Sequence, residues 1–485
     1  MILAIDQGTT GTTCIVFDER GRPAGRAYRE FEQHFPRPGW VEHDAAEIWE
    51  VTQGVAREAL DDAGVDAARL AGIGVTNQRE TVVAWDRRSG EPLHRAIVWQ
   101  DRRTAARCDE LREAGREQLV RERTGLVLDP YFSGTKMEWL AREGVLGSDA
   151  ALGTIDSWLA FKLTGRHLTD YSNASRTLLF DTARLRWDEE LCELLGVPIE
   201  ALPEAVPSAQ VYGETDALGG SVPVAGIAGD QQAALFGQAC HVEGRGKSTY
   251  GTGSFLLQNA GEQRPEAPEG LVTTVAWGLP ERVDYAIEAS IFVTGAAVQW
   301  LRDGLGVIEA ADETDALARS LDSNDGVYFV PALTGLGSPH WDAYARGTIV
   351  GLTRGTGREH LARAALEAIA YQTTDAVRAT ESASGVALDE LRADGGATVN
   401  RWLMQFQADV LGVPVVVPEL AETTALGAAY LAGIATGLWS EEDTRAMWRE
   451  GARYEPAMSE DERATLLEGW RRALDRARGS ARENA

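Results

Sequence analysis

The chain has 485 residues, which at roughly 100 to 200 residues per domain means two large domains or three small ones. Its 74 acidic and 47 basic residues leave a formal charge of −27, which argues against nucleic acid as a partner and for an anionic, self-repelling surface. Cys14, Cys108, Cys192 and Cys240 match no metal-ligand spacing and no dense disulfide framework. Asp6 interrupts the apolar opening and no run of about 18 apolar residues occurs, so the expectation is a cytoplasmic protein with no membrane span. Only Lys136, Lys162 and Lys247 are lysines, a usage that reads as genome composition rather than chemistry.

In chain order, Ile2 to Ile5 reads as a short buried strand, Asp6 to Gly11 as a Gly/Thr turn, and Cys14 to Phe17 as the returning strand of a hairpin. Ala71 to Val75 and Thr81 to Trp85 read as strands flanking Asn77-Gln78-Arg79-Glu80. Lys247 to Tyr250, Gly251-Thr252-Gly253-Ser254 and Phe255 to Leu257 then repeat the opening plan, the two Gly-Thr pairs lying 243 residues apart. A repeat of half the chain is too long for a solenoid, whose units run about 20 to 50 residues. It predicts two similar α/β domains, 1–240 and 241–485, facing each other across a cleft. Glu359 to Ser384 has helical spacing at Leu361, Ala365, Leu366 and Ile369, and a further helix is expected over Asn400 to Leu411. Thr423 to Leu438 is rich in Ala and Gly, as a closely packed buried helix would be. A helical tail from about 459 starts at a capping box, Ser459 with Glu462, and puts Leu466, Trp470 and Leu474 on one face.

Three segments carry chemistry. Asp6-Gln7-Gly8-Thr9-Thr10-Gly11 joins a carboxylate at a strand end to a turn whose amides and hydroxyls suit phosphate oxygens, with Asp6 near the phosphates' Mg²⁺; an ordinary hairpin turn is the alternative. Its counterpart around Thr252 is weak alone, but two such turns across a cleft can clamp one triphosphate. Gly246-Lys247-Ser248 is not a P-loop, because His241 occupies the place of the first glycine. Asp230, flanked by Gly229, Gln231 and Gln232, suits a general base for phosphoryl transfer or, equally, a helix cap. Arg79 beside Glu80 can both donate to and accept from adjacent hydroxyls, the alternative being a surface ion pair; Trp99, Tyr131 and Phe255 can wall a small carbon chain.

These segments together with Pro38-Gly39-Trp40-Val41-Glu42-His43-Asp44, Trp99-Gln100-Asp101-Arg102-Arg103, Gly335-Leu336-Gly337-Ser338-Pro339 and Asp394-Gly395-Gly396-Ala397 resemble the FGGY carbohydrate kinases from Met1 to about Trp439. The resemblance implies two ribonuclease-H-like domains of the actin and chaperone-ATPase kind closing over ATP, Mg²⁺ and a small polyol. Asn77 to Glu80 with Pro38 to Asp44 point within the family to ATP-dependent phosphorylation of glycerol to sn-glycerol 3-phosphate. A kinase for another polyol or ketose, or a non-catalytic actin-like nucleotide-binding protein, is the alternative. By the family's pattern Arg79, Glu80, Tyr131, Asp230 and Gln231 hold glycerol, Trp99 and Phe255 wall it, and Asp230 is the base. Thr9, Thr10, Thr252, Gly295, Gln299, Gly396 and Asn400 fall on nucleotide positions, and Asp6 lies near Mg²⁺, directly or through water.

Gly11 and Thr13 stand in the first turn where relatives commonly carry Ser and Arg, so one hydroxyl and one cation are missing there; Arg245, beside the second turn, is a candidate replacement. Ser208 to Asp230 reads as a short loop without histidine or basic residue, which argues against control by histidine phosphorylation or by fructose bisphosphate there. The partners expected are glycerol and ATP, with no nucleic acid, and a homodimer or homotetramer is expected.

Overall fold

The computed structural model describes residues 1–266, 269–342 and 344–478, so the end of the second predicted domain, 479–485, lies outside the described residues. The opening hairpin forms β1 (Ile2–Gln7) and β2 (Gly11–Phe17), extended by β3 (Pro23–Glu30). Alternation along the strands decides what covers them. Leu3, Ile5, Cys14 and Val16 join a core with Ile48, Val51, Val55 and Ala59 of α1 (Ala45–Ala63), while Ile2, Ala4, Ile15 and Phe17 belong to a second core on the opposite face. β4 (Gly72–Asn77), β5 (Ala209–Thr215) and β6 (Val222–Gly229) complete the sheet in the order β5-β6-β4-β1-β2-β3. The stretch Ser208 to Asp230 is therefore not a loop: β5 and β6 pair antiparallel there, because Val222, Val224 and Ile227 have a core to enter.

The second half repeats the plan with β7 (Gly246–Tyr250), β8 (Ser254–Gly261), β9 (Val272–Leu279), β10 (Arg282–Ile291), β11 (Leu391–Asp394), β12 (Val415–Pro418) and β13 (Glu450–Tyr454), in the order β9-β10-β8-β7-β11-β12-β13. In both sheets the hairpin's first strand is central, antiparallel to its successor and parallel to the strand on its other side. The duplication expected from the Gly-Thr turns is thus a duplication of topology, and the chain has the two-domain α/β architecture that the resemblance implies. A separate four-stranded sheet, of Glu42–His43, Ala96–Ile97, Val82–Asp86 and Ala150–Thr154, is inserted into the first half; the strand expected at Thr81 to Trp85 lies there.

Helices α2 (Asp230–Gly237), α3 (Gly295–Asp303), α4 (Arg358–Ser384), α5 (Arg401–Leu411), α6 (Thr423–Ala435) and α7 (Glu460–Ala477) follow. α4, α5 and α7 cover one face of the second sheet. α6 comes from the second half but packs on β1, β4 and β6 of the first sheet, its Ala425, Ala429 and Ala432 sharing a core with Ile2, Ala4 and Phe17. It runs against α2 almost backbone to backbone: a Cβ on Gly427 would stand 1.8 Å from the Ala233 carbonyl oxygen. The expected capping box on α7 is only half formed. Ser459 accepts from the Glu462 amide at 3.3 Å, but among the described residues the exposed Glu462 carboxylate does not return the bond. All four cysteines are free and buried, and among the described residues no helix is long and apolar enough to cross a membrane.

Candidate active site

The C-terminal end of β4 runs into the segment Asn77 to Thr81, which is buried throughout rather than a surface turn. Gln78 ties it to the first Gly/Thr turn, its amide nitrogen donating to Gln7 Oε1 and to the Gly8 carbonyl, both at 3.1 Å. Glu80 has φ 63°, a left-handed backbone that a non-glycine residue holds only where its surroundings fix it. Arg176 provides that restraint, donating from Nε to Glu80 Oε1 at 2.7 Å.

The ion pair expected between Arg79 and Glu80 is long, 3.6 Å, because the Arg79 fork is occupied elsewhere. Its terminal nitrogens donate to both oxygens of Glu288, on β10 of the other half, at 2.6 and 3.1 Å. They also reach the Tyr131 hydroxyl and Gln232 Oε1, each at 3.2 Å, and Nε lies 3.3 Å from Asp230. Arg176 adds a 2.9 Å bond to Glu288. Around this cluster stand the rings named from the sequence: Trp99 edge-on to Tyr131 at 5.6 Å between centroids, and Phe255 with its centroid 5.8 Å from the Arg79 guanidinium. Polar groups capped by aromatic walls suit a small, hydroxyl-rich ligand.

Asp230 is the first residue of α2, after the N-cap Gly229, and among the backbone amides of the described residues its carboxylate accepts only from the adjacent Gln231, at 2.7 Å, so the expected helix-cap alternative is not what the structure shows. Its side chain is 31% exposed, while Arg79 and Glu288 are at 1% and 0%, so of these three groups it is the one open to solvent. Burial raises its pKa above the ordinary value, with Arg79 and Lys247 pulling the other way. Lys247 donates to Gln231 Oε1 at 2.5 Å and to Thr249 at 2.7 Å, and burial lowers its pKa to about 8. Asp6, at the end of β1, is pushed up to about 7 by burial and then by the charge of Asp230. A carboxyl so short of positive charge, beside a phosphate-type turn, is a donor fitting a magnesium ion held mainly by phosphate oxygens and water.

Each turn is closed by a backbone bond from its first glycine, Gly8 donating to the Gly11 carbonyl at 3.0 Å and Gly251 to that of Gly253, one residue nearer in sequence, at 2.9 Å. The Thr9 hydroxyl accepts from the Trp99 indole at 2.9 Å, which ties the first turn to the aromatic wall; Thr10 is exposed. Thr13 stands opposite Asp6 on the neighbouring strand. Beside the second turn, the Gly295 amide donates to the Gly251 carbonyl at 3.0 Å, and a Cβ on Gly295 would be 2.6 Å from that oxygen. Thr252, Gln299 one helical turn beyond Gly295, and Gly396 are exposed. Asn400 is the cap of α5, its Oδ1 accepting from Leu403 at 2.9 Å and its Nδ2 donating to Thr314 at 3.1 Å.

Arg245 does not replace the missing cation. It is at the far end of β7 from the turn, ion-paired with Glu390 at 2.5 Å, and the strand carries it away from the phosphate side. Sequence reasoning also missed Arg176, Glu288, Lys247 and Asp394. The last accepts from Gln238 at 2.8 Å and from Thr423 at 2.6 Å, which fastens α6 to the loop carrying Gly396.

Family models match both halves: the N-terminal domain of the FGGY family of carbohydrate kinases over residues 1–237 and its C-terminal domain over residues 246–436. The chain is 54% identical over 489 residues to glycerol kinase 2 of Thermotoga maritima, covering 99% of each. It is 56% identical over 488 residues to the glycerol kinase of Deinococcus radiodurans, covering 98% of this chain and 97% of that one. The crystal structure of Plasmodium falciparum glycerol kinase with ADP superposes with a TM-score of 0.91 at 35% identity, covering 98% of both chains.

Proposed function

The chain belongs to the FGGY family of carbohydrate kinases, and from that premise we propose that it transfers the γ-phosphoryl group of ATP to glycerol, giving sn-glycerol 3-phosphate. The observation that carries the reading is Asp230, the partly exposed carboxylate beside the buried charges of Arg79, Glu80 and Glu288. The names of the full-length relatives support glycerol as the acceptor.

In this reading Arg79, Glu80, Tyr131 and Gln231 bind the hydroxyls and Trp99 and Phe255 pack on the carbon chain. Asp230 accepts the proton of the attacking hydroxyl, and its raised pKa suits a base that must hold that proton briefly. Thr9, Thr10, Gly11, Thr13 and Thr252 line the phosphate side, with Gly295, Gln299, Gly396 and Asn400 on the nucleoside side. Positioning and electrostatics do most of the work in such a transfer. Mg²⁺, held by Asp6 directly or through water and by the phosphates, supplies neutralisation of the developing negative charge when bound.

The first proposed domain, 1–240, carries the glycerol site and the first phosphate turn, and the second, 241–485, the nucleotide site. The four buried free thiols support a reducing, cytoplasmic location. The proposed homodimer or homotetramer is checked by light scattering. The test of function is ADP release with glycerol, dihydroxyacetone, erythritol and xylulose in parallel: glycerol turned over with the highest kcat/KM is the expected result. Preference for a ketose moves the substrate elsewhere in the family.

A further inference from the structure

Lys136, one of three lysines in the chain, is fully buried. Its ammonium donates to three successive carbonyls, those of Pro130, Tyr131 and Phe132, each at 2.8 Å. Three donors and no acceptor are all an ammonium has, so one short stretch of backbone satisfies the group completely. The position is electrostatically adverse for a helix. Lys136 is the fourth residue of the helix Ser133–Arg142, where the positive end of the helix dipole opposes a cation. What the lysine holds instead is the segment that presents Tyr131, whose ring meets Trp99 and whose hydroxyl accepts from Arg79 at 3.2 Å.

From this geometry we infer that Lys136 is a positioning residue for the polyol site, fixing Tyr131 against Trp99 and Arg79 so that the acceptor meets a preformed wall. The inference rests on the glycerol reading of that site. It also gives a chemical reason for a lysine in a chain with 44 arginines. No single guanidinium nitrogen carries more than two hydrogens, whereas the one ammonium nitrogen here serves three carbonyls.

The same grip responds to pH. Burial lowers the Lys136 pKa to about 7, and the groups that face it, Glu80, Asp101, Cys108 and Asp129, pull it upward without forming an ion pair with it. The neutral amine has two donors and leaves one carbonyl unpaired. The KM for glycerol therefore rises as pH climbs through that value, and the KM for ATP does not follow.

The experiment is steady-state kinetics from about pH 6 to about pH 9 on wild type, Lys136→Met, Lys136→Gln, Tyr131→Ala and the Tyr131→Ala/Lys136→Met double variant. Lys136→Met is expected to raise the glycerol KM roughly tenfold or more, with kcat and the ATP KM within about threefold, because misplacing a positioning group weakens binding of that substrate alone. In the Tyr131→Ala background the same change should add less than about twofold, since its target is already gone. Multiplying effects in the double variant, or an ATP KM that rises with the glycerol KM, would overturn the inference. If Lys136→Met does not fold, Lys136→Gln and the wild-type profile decide, and a glycerol KM flat across the pH range overturns it. A wild type inactive on glycerol but active on another polyol sinks the glycerol reading instead, and the same comparison run with that polyol then tests Lys136.

Discussion

Glu288 holds Arg79 by both carboxylate oxygens, at 2.6 and 3.1 Å, across the line between the two halves of the chain. Arg176 joins them at 2.9 Å, so one buried carboxylate fastens two buried guanidiniums. Burial works against this charge, yet Arg176 and Arg79 hold the Glu288 carboxyl at about 2, below its ordinary 4.5. The sign follows: its stabilisation is complete above about 4.5 and is lost as pH falls toward 2. Glu288→Gln should lower Tm near neutral pH, since breaking a buried pair costs about 3 to 5 kcal/mol. It should also flatten the fall of Tm with acid. Parallel Tm-against-pH curves for the two proteins would refute this account.

Asp230→Asn keeps the shape of the site while removing the proton acceptor. Glycerol binding should persist and kcat should fall about 10² to 10⁴-fold. Isothermal titration with glycerol and single-turnover ADP release measure the two halves of that claim, and a variant retaining more than roughly a tenth of wild-type kcat would end the base assignment.

Glu80→Gln should raise the KM for glycerol roughly 5- to 150-fold, equivalent to about 1 to 3 kcal/mol for a disturbed buried hydrogen-bonding group, while the KM for ATP stays nearly constant. Arg79→Ala should do the same and also destabilise the fold, because it leaves the buried Glu288 with Arg176 as its one guanidinium partner among the described residues. Initial rates with each substrate varied decide it. If the ATP constant shifts in both variants, these side chains serve the nucleotide or the fold rather than the polyol.

Lys247 lowers the pKa of Asp230 and orients Gln231. In Lys247→Met the acid limb of the kcat/KM profile for glycerol should therefore move to higher pH, because the base loses a favourable charge. The glycerol KM should rise as well. An acid limb that does not move would mean that Lys247 acts on Gln231 alone.

Thr13 stands opposite Asp6, so Thr13→Arg would put a cation between that carboxyl and the phosphate side. Calorimetric titration should find ADP bound more tightly, by about 1.5 to 3 kcal/mol if the new charge-assisted bond forms well. Arg245→Ala should leave ADP affinity unchanged, as its partner is Glu390. A large loss of affinity in Arg245→Ala would contradict the geometry of β7.

What was legible in the sequence was local. The Gly/Thr hairpins, the segment Asn77 to Glu80 and the Asp230 neighbourhood each occupy a few consecutive residues, and side-chain contacts join the first hairpin to Gln78 and Arg79 to Asp230. The charge cluster was not legible, because Arg176 lies 96 positions from Glu80 and Glu288 lies 209 from Arg79, and no spacing rule links residues that only a fold unites. Lysine rarity was the one signal passed over as composition. Lys136 and Lys247, two of the three, are fully buried beside polyol-site residues, and Lys136 makes three hydrogen bonds from one nitrogen, more than any single guanidinium nitrogen has hydrogens for. The half-formed box at Ser459 illustrates the reverse error: the pattern was present, but an exposed Glu462 keeps its hydration instead of bonding back.

The placement of α6 on the first sheet bears on how the protein is made. A nascent chain emerging as far as residue 240 has β1 to β6 and α1 but not the helix that shields Ile2, Ala4, Ile15 and Phe17. Translation must continue through Ala435 before that face can be closed. The ribosome thus presents an uncovered hydrophobic sheet for close to half of synthesis, which is a natural substrate for chaperone holding. The fragment 1–240 expressed alone should accumulate in inclusion bodies, and co-expression with a fragment beginning at residue 241 should bring it back into solution.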